Sequence, residues 1–204
     1  MNPKHNITVL YPVILPVPAD TYNSMVIRDR VRFLSRHARK ALTISAAKQN
    51  IALNTDVLQK DEQGVPLPMD GWYWSLTHKP QYTGGIFASA PIGMDIEKIK
   101  DCTRGLREKI ADNAEWALSG PDLRDTFFRY WTAKESVLKV TGAGLSELSQ
   151  CRISKIINDD QLLILYRQTE WLTEHFRFDG HMASVVKNDF MIKWETACPP
   201  SIPA

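Results

Sequence analysis

The sequence is poor in the features that mark several function classes. It has three cysteines in 204 residues, Cys102, Cys151 and Cys198, far apart from one another. No Cys-x-x-Cys and no Cys/His pair at zinc spacing occurs, and an odd count suggests no disulfide framework. Reduced thiols in a cytoplasmic protein are the expectation. Long apolar runs are also missing. The run from Ile7 to Val17 is broken by Pro12 and Pro16, is too short for a bilayer, and precedes no small-residue cleavage site. A soluble chain with no membrane partner is therefore expected. Charge of one sign is scarce: 25 Lys and Arg against 23 Asp and Glu leave a net charge of +2. That is too mild to point to nucleic acid. No internal repeat is visible. What is present, 44% hydrophobic and 24% charged residues, is the balance of a globular chain able to bury a core.

Periodicity then divides the chain. Thr8–Leu15 reads as a strand or extended lead-in. From about Ser24 to Gln49, Ile27, Val31, Leu34, Ala38, Ala41 and Ser45 recur at alternating spacings of four and three, an inward helical stripe. The same helix carries Arg28, Arg32, Arg36 and Lys40, and residues 28–48 hold seven Lys/Arg against Asp29 alone. Asn54–Asp70, with Gly64, Pro66 and Pro68, reads as a loop. Gly71–His78, Tyr82–Ala88 and Ile92–Glu97 read as short strands of an antiparallel meander. Asp101–Ala117 and Asp122–Val140 read as helices, the second ended by Gly142 and Gly144. Five strands are predicted after it: Cys151–Ile157, Leu162–Tyr166, Trp171–Phe178, His181–Val186 and Phe190–Trp194. Helix and antiparallel strands thus occur once in each half, which argues for an α+β fold. The expected division is an N-terminal half (1–97), a C-terminal half (98–198) and a disordered tail (199–204).

Two acidic clusters stand out from this pattern. Gly93-Met94-Asp95-Ile96-Glu97-Lys98 reads as a strand end, so Asp95 and Glu97 point to one side with Cα atoms about 6.6 Å apart. Trp131-Thr132-Ala133-Lys134-Glu135-Ser136-Val137-Leu138-Lys139 reads as helix, so Glu135 and Lys139 share a face. Three carboxylates with lysines alongside suit a hard divalent cation and a polyphosphate. Mg²⁺ is commonly held by carboxylates plus phosphate oxygens, and lysine supplies point charge to the remaining oxygens. Each cluster alone has an ordinary reading, a solvated turn or a helix-face ion pair.

Together, and with Ser75-Leu76-Thr77-His78 upstream and Gly142-Ala143-Gly144-Leu145 downstream, they resemble the signature motifs of the 4′-phosphopantetheinyl transferases. The branch they resemble is the Sfp type, about twice the length of the short trimeric holo-acyl-carrier-protein synthases. The resemblance is clear over roughly residues 72–146. It implies two similar α/β halves related by a pseudo-twofold axis, each a small antiparallel sheet with a long helix, with coenzyme A in the cleft between them. It also implies a reaction: the phosphopantetheine arm of coenzyme A moves to a serine of an apo acyl or peptidyl carrier protein, releasing 3′,5′-ADP. The ligands implied for Mg²⁺, with Mn²⁺ as the alternative, are Asp95, Glu97 and Glu135. Glu135 is also the implied base and Lys139 the implied stabiliser of the leaving phosphate. His78, Lys134, Lys139 and part of the basic ridge (Arg32, Arg36, Arg39 or Lys40) are the implied phosphate contacts. A monomer is expected, since two halves complete one cleft.

One departure is visible. Many members of that family carry Gly-Lys-Pro before the Ser/Thr-His strand, whereas this chain has Gly64-Val65-Pro66. Either another cation replaces that lysine or the grip on the 3′-phosphate is weaker. Carrier proteins are acidic around their serine, so an electropositive dock is expected. Lys98, Lys100, Arg104, Arg107 and Lys109 are its candidate residues. His37, His175 and His181 receive no functional reading, and Trp72, Tyr73, Trp74 and Trp131 are read as packing. The competing enzyme class is a metal-dependent phosphohydrolase or nuclease, for which no further Asp or His is spaced to hold a second metal.

Overall fold

In a computed structural model of the chain, residues 8–120 and 122–196 are described; the expected tail and Cys198 lie outside them. The first half opens with two short strands, β1 (Val9–Leu10) and β2 (Val13–Pro16), then helices α1 (Ala19–Ser24) and α2 (Ile27–Ala47). The hairpin β3 (Tyr73–His78) and β4 (Tyr82–Ala88) follows. The stretch Thr8–Leu15, read as a strand or extended lead-in, is broken into two strands at Pro12, which has no N–H to donate to a ladder. The second half comprises β5 (Met94–Lys98), α3 (Arg104–Ile110), α4 (Asn113–Trp116), α5 (Leu123–Thr141) and a 3₁₀ turn at Leu145–Gln150. Strands β6 (Arg152–Asn158), β7 (Gln161–Tyr166), β8 (Thr169–Phe178) and β9 (His181–Val186) then run on to the short β10 (Met191–Ile192) and β11 (Glu195–Thr196).

The fold is α+β, as expected. One sheet has the order β11-β2-β4-β3 and the other β5-β9-β8-β7-β6, with a two-stranded pair β1-β10 beside them. The larger sheet is wholly antiparallel. The smaller is mixed, because β11 lies parallel to β2. Strand pairing crosses the expected boundary at residue 97. Met94–Lys98, assigned to the first half, hydrogen-bonds to β9 of the second, and the last strands return to β1 and β2. Neither segment of the 1–97 and 98–198 division closes within its own bounds.

Packing explains the burial. Every residue of β4 is buried, because the strand lies between α2 and β5. A Cβ on Gly85 would meet the backbone N of Leu42 at 2.8 Å, and one on Gly84 would meet the Met94 and Ile96 side chains at 2.7 and 2.8 Å. Helix α2 buries Leu34, Ala38, Ala41, Leu42, Ser45 and Ala46 but nothing in its first two turns. Ile27 and Val31, expected inside, are 80% and 64% exposed. The apolar period continues into those turns, but no strand lies beneath them to cover it. The helix predicted over Asp101–Ala117 divides at Ala111, whose backbone is extended. Asp112 restarts it as α4: its side chain accepts from Glu115 N–H and Glu115 reaches back to Asp112 N–H, a capping box.

Candidate functional site

The site is built where the two sheets meet edge to edge. Strands β3 and β5 are each the last strand of their sheet, and β5 still has N–H groups to satisfy on that side. Side-chain hydroxyls of β3 supply the acceptors: Met94 N–H donates to Ser75 Oγ at 3.1 Å and Ile96 N–H to Thr77 Oγ1 at 3.2 Å. Ser75 and Thr77 are two apart on a strand and so face the same way. The Ser-Leu-Thr-His motif is therefore a joint between sheets as well as a site element. Thr77 also donates to Asp95 Oδ1 at 3.0 Å, fixing the carboxylate's rotamer.

Helix α5 crosses behind β5 and brings in the third carboxylate. Its N-cap is Asp122, whose side chain accepts from Arg124 and Asp125 N–H, and Gly142 ends it at φ +70°. Close approach depends on Gly93. A Cβ there would lie 1.9 Å from the Ser136 carbonyl oxygen, which no rotamer change can relieve. Because β5 and α5 touch backbone to backbone, Glu135 meets Asp95 and Glu97. Ligand oxygens of Asp95, Glu97 and Glu135 all lie within 4.8 Å of one another. Asp95 is buried, and its Oδ2 has no hydrogen-bond partner. An unpartnered carboxylate oxygen aimed into a set of three fits a hard divalent cation, for which oxygen-only donors are the usual choice.

Two lysines balance the set. Lys139 Nζ lies 2.7 Å from Asp95 Oδ1 and donates to the Met94 carbonyl at 3.0 Å. Lys79 Nζ lies 2.6 Å from Glu97 Oε1. The electrostatics follow from crowding. Burial, then the charge of Asp95, pushes the Glu135 carboxyl up to about 7 against the pull of Lys139. Glu97 is raised by burial and by Asp95, with Lys79 opposing. Burial acts to lower Lys79, but Asp95, Glu97 and Glu135 outweigh it and hold the ammonium above its ordinary value. His78 is lowered by burial, then by Lys139 and Lys79, so its imidazole is neutral at pH 7.

A cavity of about 300 Å³ opens beside the carboxylates. Glu135 and Lys139 form one wall, the Gly142–Leu145 turn continues it, and Lys60 with the Gly64-Val65-Pro66 stretch faces them. Lys60 and Pro66 are bridged, so the loop predicted over Asn54–Asp70 carries one pairing of its own.

Residues 91–189 match the family model described as the 4′-phosphopantetheinyl transferase superfamily. Among curated proteins, the chain is 31% identical over 96 residues to 4′-phosphopantetheinyl transferase psf-1 of Bacillus pumilus, covering 44% of this chain and 41% of that one. It is 36% identical over 78 residues to 4′-phosphopantetheinyl transferase ffp of Bacillus subtilis, covering 36% and 35%. A longer match, 25% over 169 residues, is to the rat L-aminoadipate-semialdehyde dehydrogenase-phosphopantetheinyl transferase, covering 67% and 54%. Over these stretches the chain is similar to 4′-phosphopantetheinyl transferases, those of the Sfp type among them. It spans about two fifths of the length of the Bacillus relatives.

The remaining residues singled out through the transferase resemblance divide sharply. Lys134 does not face the site. It is 1% exposed, with Nζ 2.6 Å from Glu115 Oε1 and 2.5 Å from the Ile110 carbonyl. Glu115 also accepts from Ile153 N–H at 2.7 Å. Lys134 is thus a buried strut tying α5 to α4 and β6; at about 100° from Glu135 on the helix it points into the core, not to a phosphate. Of the ridge, Arg39 is half-buried and donates to the Thr55 carbonyl. It depresses Lys60 electrostatically, after burial does, which links it to the cavity. Arg32, Arg36 and Lys40 are exposed and form no ion pair among the described residues. Lys79 escaped the sequence reading, although its place next to His78 and ahead of Pro80, at a hairpin end, was a usable signal.

His37 bonds through Nδ1 with Thr83 Oγ1 at 2.8 Å. The ring nitrogens of His175 lie 3.1 and 3.0 Å from the carbonyls of Asp160 and Arg129. Both histidines pin elements together. Trp74 is buried and Trp72 stacks on Phe87. In the proposed dock, Arg104 is already paired with Glu108 at 2.7 Å on the exposed face of α3.

Proposed function

We propose that this chain transfers the 4′-phosphopantetheine arm of coenzyme A to a serine of an apo acyl or peptidyl carrier protein, releasing 3′,5′-ADP. The observation that carries the reading is the convergence of Asp95, Glu97 and Glu135 within 4.8 Å beside a cavity walled by Glu135 and Lys139. The three carboxylates would hold Mg²⁺ or Mn²⁺, which when bound neutralises and orients the pyrophosphate. The chain's own residues do the rest. Glu135, directly or through one water, takes the proton from the carrier serine; a carboxyl near 7 is well matched to that transfer at neutral pH. The serine oxygen then bonds to the pantetheine phosphorus as the bond from that phosphorus to the bridging oxygen breaks. The electron pair leaves with 3′,5′-ADP, and the Lys139 ammonium lies close enough to the acidic set to stabilise it.

Neutral His78 and half-buried Arg39 are the phosphate contacts best supported by position, with Arg32, Arg36 and Lys40 as exposed alternatives. Lys98, Lys100, Arg104, Arg107 and Lys109 form the proposed carrier dock. A monomer with halves related by a pseudo-twofold axis, working in the cytoplasm, completes the proposal. Incubation with coenzyme A, Mg²⁺ and an apo carrier, followed by mass spectrometry of the carrier, tests it. Gain of one phosphopantetheine arm, lost in Glu135→Ala, is the expected result. Free nucleotide with an unchanged carrier would refute transfer and point to hydrolysis.

A further inference from the structure

We propose that Lys79 is a stand-in cation for the acidic set: it occupies Glu97 until a divalent ion arrives, then turns to a phosphate of the bound substrate. The inference rests on the reading of Asp95, Glu97 and Glu135 as a metal set. Its ground is an asymmetry between the two lysines. Lys139 is held twice, by Asp95 and by the Met94 carbonyl. Lys79 is held once: among the described residues its ammonium bonds only Glu97, at 2.6 Å. The Lys79 backbone is pinned, since its N–H donates to the Tyr82 carbonyl at 2.7 Å and Pro80 follows. With the Cα fixed, the ammonium can change partner only by rotation of the four-carbon stem.

Lys79 and Glu97 side chains are 30% and 15% exposed, so neither is fully screened by water. An ion entering the set must share Glu97 with an ammonium already on it, and the two positive charges repel. Lys79 therefore weakens metal binding while no phosphate is present. Once a phosphate offers the ammonium a new partner, that penalty is relieved. The lysine thereby couples metal and coenzyme A binding, and the coupling is reciprocal.

Manganese titration of the intact chain by calorimetry, with and without saturating coenzyme A, reads this directly, and no turnover is involved. The wild type should bind Mn²⁺ weakly alone and more tightly with coenzyme A. Lys79→Gln should bind Mn²⁺ alone about tenfold more tightly, the scale of one charge contact in a partly buried site, and the gain from coenzyme A should shrink. Lys79→Arg, which keeps the charge, should behave as wild type, which assigns the gain in Lys79→Gln to the lost charge. If Lys79→Gln and wild type bind Mn²⁺ alone with equal affinity, the inference is wrong while the metal set stands. If neither takes up Mn²⁺ even with coenzyme A, the metal reading fails and this inference with it.

Discussion

Glu135→Gln should stabilise the metal-free protein while abolishing its proposed chemistry. The Glu135 carboxyl is pushed from an ordinary 4.5 up to about 7 by burial and by Asp95. A carboxyl whose folded value is raised holds its proton more tightly in the native state. Its favourable contribution is therefore complete below about 4.5 and is lost as pH rises through about 7. At 1.36 kcal/mol per pH unit the full gap corresponds to about 3 kcal/mol. Glutamine keeps the shape and cannot ionise, and the Glu135 side chain makes no hydrogen bond among the described residues for it to lose. For a chain of this size each kcal/mol moves the midpoint by about 2–4 °C, so Glu135→Gln should melt roughly 6–12 °C above wild type at pH 8.5. At pH 4.5 the two should coincide.

The assay is thermal denaturation in chelator across that pH range. Added Mg²⁺ should then reverse the order, because the wild type gains a third negative ligand that the variant lacks. A difference that does not change with pH, or a less stable variant at pH 8.5, would mean that the carboxyl is not crowded by Asp95 and Glu97 in solution.

Lys134→Met should cost about 3–5 kcal/mol in urea unfolding, because it leaves Glu115 buried without its cation; an intact fold with weakened coenzyme A binding would instead restore the phosphate role first expected of Lys134. Gly93→Ala should either prevent folding or force α5 away from β5, since the new methyl falls on the Ser136 carbonyl. A folded Gly93→Ala protein with wild-type Mn²⁺ affinity would show that this contact does not set the site.

Some of this molecule is legible in its residues taken locally. The two-residue spacing of Asp95 and Glu97 and the four-residue spacing of Glu135 and Lys139 each fix a shared face once strand and helix are assigned. Hydrophobic periodicity is enough to find α2, α5 and the larger strands. The same periodicity misplaces Ile27 and Val31, because it reports which face is apolar and not where the covering sheet stops. It also runs α3 and α4 together, although the Asp112-x-x-Glu115 capping signal was there to be read. Lys134 is misplaced for a related reason: a lysine next to a site carboxylate looks functional until its direction around the helix is set against a neighbouring element.

By itself, then, the sequence determined which side chains share a strand side or a helix turn, and through its motif spacing, the family it resembles. Pairing of Met94–Lys98 with His181–Val186, bridging of β3 to β5 by Ser75 and Thr77, and backbone contact of α5 at Gly93 were decided only in three dimensions. These contacts join residues tens of positions apart, and no local periodicity encodes which edge will meet which. The ion pairs of Lys79, Lys134 and Lys139 follow from them, since a charge finds its partner only after the elements carrying both have docked.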